Sequence, residues 1–216
     1  MKSTLPIAAV VISLLLCSCS LASLIREETK RENARVHLKD GTILMGKAVL
    51  PNLKDKHICF FPETGGRKRF KSGEIDKITY WQDDRSEIRN IFVYREFSNK
   101  SKNLGPFWMK TVGSGTYIDL CLCGAYYSFN DKGEITVEAA TGDRLYITGF
   151  KDSDKGVFIG YADGSTANLR NSLVKWLSDD PVLCGKLIER DIPAKDYETI
   201  CKEYNPQTDK TEGTAI

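Results

Sequence analysis

The 216-residue chain holds two histidines, His37 and His57, three methionines and three tryptophans, and almost no net charge: 31 lysines and arginines stand against 29 aspartates and glutamates. Two histidines leave little room for chemistry that depends on imidazole as ligand or proton carrier. A balance this close to neutral argues against nucleic acid as a partner, which wants a clustered positive field. The one basic run, Arg67 to Lys71 in "GRKRFK", has the length of a strand edge or a solvated turn. No G-x-S-x-G elbow, HExxH helix or phosphate-binding glycine loop is present, so neither a catalytic constellation nor a cofactor is read. Long apolar runs are missing too. The longest, Leu5 to Leu16, is interrupted by Pro6 and Ser13 and falls short of the roughly 20 residues of a transmembrane helix.

What is present at that end has the order of an export signal: Lys2, the apolar run, then "LCSC", Leu16-Cys17-Ser18-Cys19. This resembles the lipobox of bacterial lipoproteins, in which a small residue precedes the cysteine that is lipidated and becomes the new N-terminus. Ser18 makes Cys19 fit; Leu16 in the small-residue position makes Cys17 not fit. The resemblance implies that residues 1–18 leave as a signal peptide. Cys19 would then carry acyl chains that anchor the body to a membrane without spanning it. Ser20, rather than the aspartate associated with inner-membrane retention, follows it, so the expected location is the cell envelope at the outer membrane, on either face. The alternative is an ordinary secretory signal cut after Ala22 or Ser23, giving a soluble periplasmic protein.

Five further cysteines remain: Cys59, Cys121, Cys123, Cys184 and Cys201. An odd number cannot all pair internally. Cys184 and Cys201, both in the helical C-terminal region, are the candidate disulfide, worth about 3 kcal/mol on the chain-entropy model; buried free thiols are the alternative. His57 with Cys59 and Cys121 with Cys123 are pairs two apart on separate strands, without tight-turn CxxC spacing, so no metal site is assigned and the cysteines read as small core residues. Cys59 with His37 as nucleophile and base lacks an orienting third group. "DSDKG", Asp152 to Gly156, starts like a calcium loop but has Asp163 where the bidentate glutamate belongs, and reads as a hairpin turn.

Residues 19–34 are polar and charged and read as a tether. Residues 35–88 read as a small β module: apolar alternation flanks Asp40-Gly41, a hairpin signal, and "HICFF", "RKRF" and "DKITYW" follow as further strands. Five short strands in so few residues suggest a small bent barrel, and "VHLKDGTILMGKAV" resembles the first motif of Sm-like proteins, which implies the geometry of an SH3 or Sm-like barrel. Residues 89–170 read as an antiparallel meander, with "SNKSKNLG" as a polar loop and Ile118, Leu120 and Leu122 on the strand face opposite Asp119, Cys121 and Cys123. Residues 171–205 carry apolar positions at helical spacing, among them Leu173, Trp176, Leu187, Ile188 and Ile200. Asp180 before Pro181 is an N-cap and first-turn pair. Two or three short helices are expected there, and residues 206–216 read as a disordered tail. The fold class is mainly β.

"FWMKTVGSGTYIDLCLCGAYYSF", then "LVKWLSDDPVLCGKLI" and "YETICKEYN", resemble a family of uncharacterised secreted proteins and lipoproteins of Gram-negative gut-type bacteria, over residues 90–205. That resemblance implies a β-rich body with a helical end and supplies no site. The functional expectation is a non-enzymatic envelope lipoprotein, membrane-attached at Cys19, that acts as an interaction or assembly module for an envelope protein partner. The alternative is a glycan- or small-ligand-binding lipoprotein with Trp108 and Tyr126 as stacking aromatics.

Overall fold

The computed structural model describes residues 31–99, 102–138, 144–148 and 155–206. The signal segment, Cys19, most of the tether, Asp152 to Asp154 and the tail from residue 207 lie outside the described residues. The fold is mainly β, with an antiparallel sheet and three short C-terminal helices. Strands β1 (Arg31–Leu38), β2 (Ile43–Val49), β3 (His57–Pro62) and β4 (Lys68–Lys71) are followed by a one-turn 3-10 helix at Ser72–Glu74. Then come β5 (Ile75–Gln82), β6 (Arg85–Asn99), β7 (Lys102–Ser114), β8 (Asp119–Cys123), β9 (Tyr126–Phe129), β10 (Ile135–Glu138), β11 (Arg144–Thr148) and β12 (Lys155–Tyr161). Helices α1 (Thr166–Trp176), α2 (Pro181–Glu189) and α3 (Tyr197–Glu203) end the chain.

Ten strands form one sheet in the order β12-β11-β8-β7-β6-β5-β1-β2-β3-β4, and β9 and β10 pair as a separate hairpin. The first five strands curl but form no closed barrel, because β5 continues into β6 rather than returning to β4. A short parallel pairing of β12 with β6, Lys155 to Val157 against Glu96 to Ser98, folds the far end of the sheet back on itself. Two sequence readings shift. β1 opens at Arg31, so residues 31–34 belong to the sheet rather than the tether: Ala34 is fully buried, and the strand pairs on both sides, with β2 and with β5. "SNKSKNLG" is the end of a long ribbon in which Ser98 pairs Asn103 and Asn99 pairs Lys102. Backbone ladders form there without apolar alternation to announce them.

The Asp40-Gly41 signal is a three-residue loop: Gly41 takes φ 88° and donates to Leu38 O at 3.0 Å, while Leu38 N donates to Thr42 O at 2.9 Å. A left-handed glycine closing such a loop is a standard hairpin device. "NDKG" repeats it between β9 and β10, with Gly133 at φ 77° and Asn130 N donating to Glu134 O. That hairpin is clamped onto β6 and β7 by buried Asn90, which accepts from Ile135 N at 2.7 Å and donates to Gly133 O at 3.0 Å, and by Tyr127, whose hydroxyl donates to Trp108 O at 2.6 Å. These groups close one core, with Ala34, Val36, Phe60, Ile78, Tyr80, Phe92 and Trp108.

A second core lies under the helices, where Leu120, Ile159, Leu173, Leu187 and Ile200 are buried together. As alternation predicts, Ile118 and Leu120 face it, whereas Cys121 and Cys123 turn to a smaller cluster with Val93 and Met109. Asp180 caps α2 with Pro181 in the first turn, its carboxylate accepting from Leu183 N at 3.0 Å and Asn205 N at 2.8 Å. Trp176 and Ile188, expected on apolar helix faces, are 46% and 62% exposed.

Candidate functional site

Strand alternation sorts the side chains of the first half into two sets. Even positions of β1, Ala34 and Val36, point into the core; Arg31, Asn33, Arg35 and His37 point outward. The register carries this face across the neighbours: His37 pairs Ile43, Arg35 pairs Met45, Asn33 pairs Lys47 on one side, and Lys77, Thr79 and Trp81 pair the same residues on the other. Lys47 pairs Phe61 on β3, and Cys59 pairs Arg69 on the edge strand β4. The result is a solvent-facing surface with Arg31, Arg35, Lys47, Arg69 and Lys77 as its cations and Phe61, Trp81, Ile43 and Met45 as its apolar members. Ile43 is 56% and Met45 42% exposed.

The cations are held flat by the apolar members. The Arg31 guanidinium lies 3.8 Å from the Phe61 ring centroid, and that of Arg89, on β6, 4.6 Å from the Trp81 ring, cation–π contacts that fix the cations against the face. Arg35 Nε reaches Met45 Sδ at 3.2 Å. Between these residues is a cleft of about 320 Å³ lined by Arg31, Asn33, Met45, Lys47, Phe61 and Trp81, with Glu63 at its rim. It exists because Gly46 lets β3 cross close by: a Cβ there would collide with the Phe61 carbonyl oxygen and lie 2.9 Å from Pro62 Cα. Carboxylates border this surface. Asp76 takes Arg95 at 3.2 Å, and Asp83 accepts from Asn33 Nδ2 at 2.7 Å. Partial burial, with Lys77 and Arg35 beside it, holds His37 below the ordinary imidazole value, against the opposing pull of Asp76.

The charge is distributed unevenly along the chain. Residues 31–82 carry eleven lysines and arginines against six aspartates and glutamates, whereas residues 155–206 carry seven against eight. Near-neutrality of the whole thus conceals a basic first half.

The sequence-predicted residues fall elsewhere. Trp108 is fully buried, its indole N–H donating to Asp55 O and Ser72 Oγ, both at 3.0 Å. Tyr126 is 57% exposed, so the two make no common stacking platform; Trp108 is large enough to anchor the core and has its polar atom satisfied there. Cys184 and Cys201 are both free thiols buried in the helical core and are not joined. The Cys184 thiol donates to Leu177 O at 3.2 Å, and burial pushes the Cys201 thiol up to about 12. His37 and Cys59 are not brought together: His37 is level with Ile43 of β2, and Cys59 lies beyond the pairing of Phe60 with Ala48, about 20 Å further along the strands. Arg67 Nη2 reaches the Cys59 sulfur at 3.1 Å. Among the described residues, no group of three or more His, Cys, Asp or Glu could hold a metal ion.

The outward face went unread because its members are scattered over five strands. The signal was nonetheless available: Tyr80-Trp81 is an adjacent pair in a strand, so one ring must face in and the other out. Tyr80 is fully buried and bonded to Val49 O at 2.9 Å; Trp81 is the outward one. No family model, curated protein or solved structure matches this chain.

Proposed function

We propose that the protein is a non-enzymatic cell-envelope lipoprotein, anchored through Cys19, whose outward face on β1 to β5 is an interaction surface for a component of the envelope. One observation carries this reading: cations stacked on aromatic rings, beside exposed Ile43 and Met45, gather on a single face whose first residue, Arg31, is twelve residues from Cys19. Soluble surfaces scatter large apolar side chains singly; a cluster of them mixed with arginine is the composition of a contact surface. The cleft gives a second reading, a glycan or small ligand on Trp81 with Asn33 and Glu63 as polar partners, since its volume is at the lower end of ligand sites, about 300 Å³ and upward.

Two measurements test the two parts separately. Fractionation of cells carrying Cys19→Ala should find the protein released from membranes, and a variant that stays bound removes the lipid anchor from the proposal. Sedimentation of the purified Cys19→Ala chain with isolated envelope fragments should show retention that the Arg35→Glu, Lys47→Glu double variant loses. Equal retention of both forms would show that this face is not the surface used.

A further inference from the structure

We infer that the component this face recognises is an anionic phospholipid surface, so that the body lies against the bilayer rather than extending from it on a free tether. The inference rests on the interaction-surface reading above and assigns its partner.

Three features of the face select a bilayer over a protein. Its charge is predominantly of one sign: the outward register positions of β1, β2 and β5 supply Arg31, Arg35, Lys47 and Lys77, which outnumber Glu63 in the cleft and Asp83, the acceptor of the Asn33 amide. Its exposed apolar members, Ile43 and Met45, stand next to those cations rather than within a dry centre ringed by polar groups, which is how a surface that dips into the headgroup region is built. Protein interfaces instead gather their apolar anchors in the middle. Trp81 and Phe61 add rings at the level of the cations, the placement aromatic residues favour at a membrane–water boundary. The cleft adds the Lys47 ammonium for a headgroup phosphate, beside the Trp81 and Phe61 rings and with Glu63 also in its lining.

The chain geometry agrees. Arg31 is twelve positions from Cys19, a stretch that reaches at most about 40 Å when extended. β1 therefore enters the body within reach of the membrane, and Arg31, its first residue, is itself a member of the face. The opposite part of the molecule, residues 155–206, has a slight acidic excess. An anionic surface attracts the first part and not the second, so the charge distribution orients the body as well as holding it.

Protein-free vesicles distinguish this from the broader reading. The purified, unlipidated Cys19→Ala chain is mixed with phosphatidylcholine vesicles with and without phosphatidylglycerol, and the bound fraction is measured by co-sedimentation. Binding should require phosphatidylglycerol and weaken as salt is raised. It should fall about a hundredfold in the Arg35→Glu, Lys47→Glu, Lys77→Glu variant, while Lys195→Glu on the helical side leaves it unchanged. Ile43→Ser with Met45→Ser should weaken binding in a way that salt does not reproduce. Circular dichroism of each variant shows that it is folded. Retention on envelope fragments without vesicle binding would overturn the lipid assignment and leave the interaction surface standing, with a protein or glycan as its partner. Loss of both would overturn both. Equal binding to vesicles lacking phosphatidylglycerol would also overturn the assignment.

Discussion

The two ends of the sheet treat their faces differently. At the β7, β8 and β12 end both faces are used: Leu120 and Ile159 lie under the three helices, while Met109 and Cys121 fill a cluster on the other side. At the β1, β2 and β5 end only the inner face is buried, and the outer one keeps arginine, lysine, tryptophan and methionine in solvent. Glycine placement explains much of the contrast. Gly113 and Gly115 stand where α3 crosses, and a Cβ on either would run into the carbonyl of Tyr197 or Cys201. Helix backbone meets strand backbone there with nothing between. Gly46, in the first half, performs the same service within the sheet, admitting β3 against β2. One end thus uses glycine to cover a face, and the other uses it to curl an uncovered one.

The comparison breaks most readily at Gly115. Gly115→Val should lift α3 from β7 and cost about 4 kcal/mol or more, since two backbones must separate and a core reopens. Gly66→Ala, at a glycine with nothing within 4 Å, should change stability by less than about 0.5 kcal/mol. Urea unfolding of the pair measures both; a mild Gly115→Val would mean that α3 is not seated as described.

Next in size is an alkaline effect at the covered end. The folded state holds the Cys201 thiol up to about 12, chiefly by burial. A pKa raised on folding gives stability that is whole below the unfolded value and is lost as pH rises toward the folded one. Between roughly pH 8.5 and 12 the loss approaches about 4 kcal/mol for this group. Cys184 and Tyr204, also raised by burial and by the carboxylates of Asp179 and Asp180, add to the slope. Cys201→Ala should therefore flatten the dependence of unfolding free energy on pH above about 8.5, and parallel slopes in the two proteins would show that Cys201 is not buried as a thiol. At neutral pH, half-exposed Cys59 should react with iodoacetamide first and Cys201 last.

The hairpin and the helix cap come after these. Asn90→Ala strips two buried bonds, leaving Ile135 N and Gly133 O without their partner, and should cost about 2–3 kcal/mol. Asp180→Ala removes a cap and the bond to Asn205 N and should cost about 1–2 kcal/mol. Faster amide exchange at Ile135 and at Leu183 and Asn205 would localise each loss. Unchanged exchange in either would detach that bond from the stability of its region.

Legibility in the sequence followed the range of the interactions. Local signals were readable: Asp180-Pro181 announced α2, Asp40-Gly41 a hairpin, and the alternation of "YIDLCLC" gave the two faces of β8. Readings that required knowing the neighbour across the sheet did not survive. Gly113 lies within β7, kept bare for a helix eighty residues downstream, which no local pattern announces. Trp108 reads as a ligand platform, but Asp55 and Ser72, brought by a loop and a 3-10 turn, bury it. The barrel expected for residues 35–88 stays open because β6 extends the sheet from β5. The candidate face was hidden for the same reason: five strands contribute to it, and Arg31 meets Phe61 from thirty residues away.

The smallest stability effect belongs to the open end, and there it separates a folding role from a binding one. Arg35 is exposed, with Met45 Sδ as its nearest polar contact at 3.2 Å. A surface side chain so placed contributes little to folding, so Arg35→Glu should move unfolding free energy by less than about 0.5 kcal/mol. The same substitution reverses a charge in the middle of the face, between Met45 and Thr79, and should weaken retention on envelope fragments by about tenfold or more at low salt. A large loss of stability would place Arg35 in the architecture, as Asn90 is, and the outward surface would then be scaffold. Loss of retention with stability intact is the outcome expected of a face that evolution has left uncovered for contact.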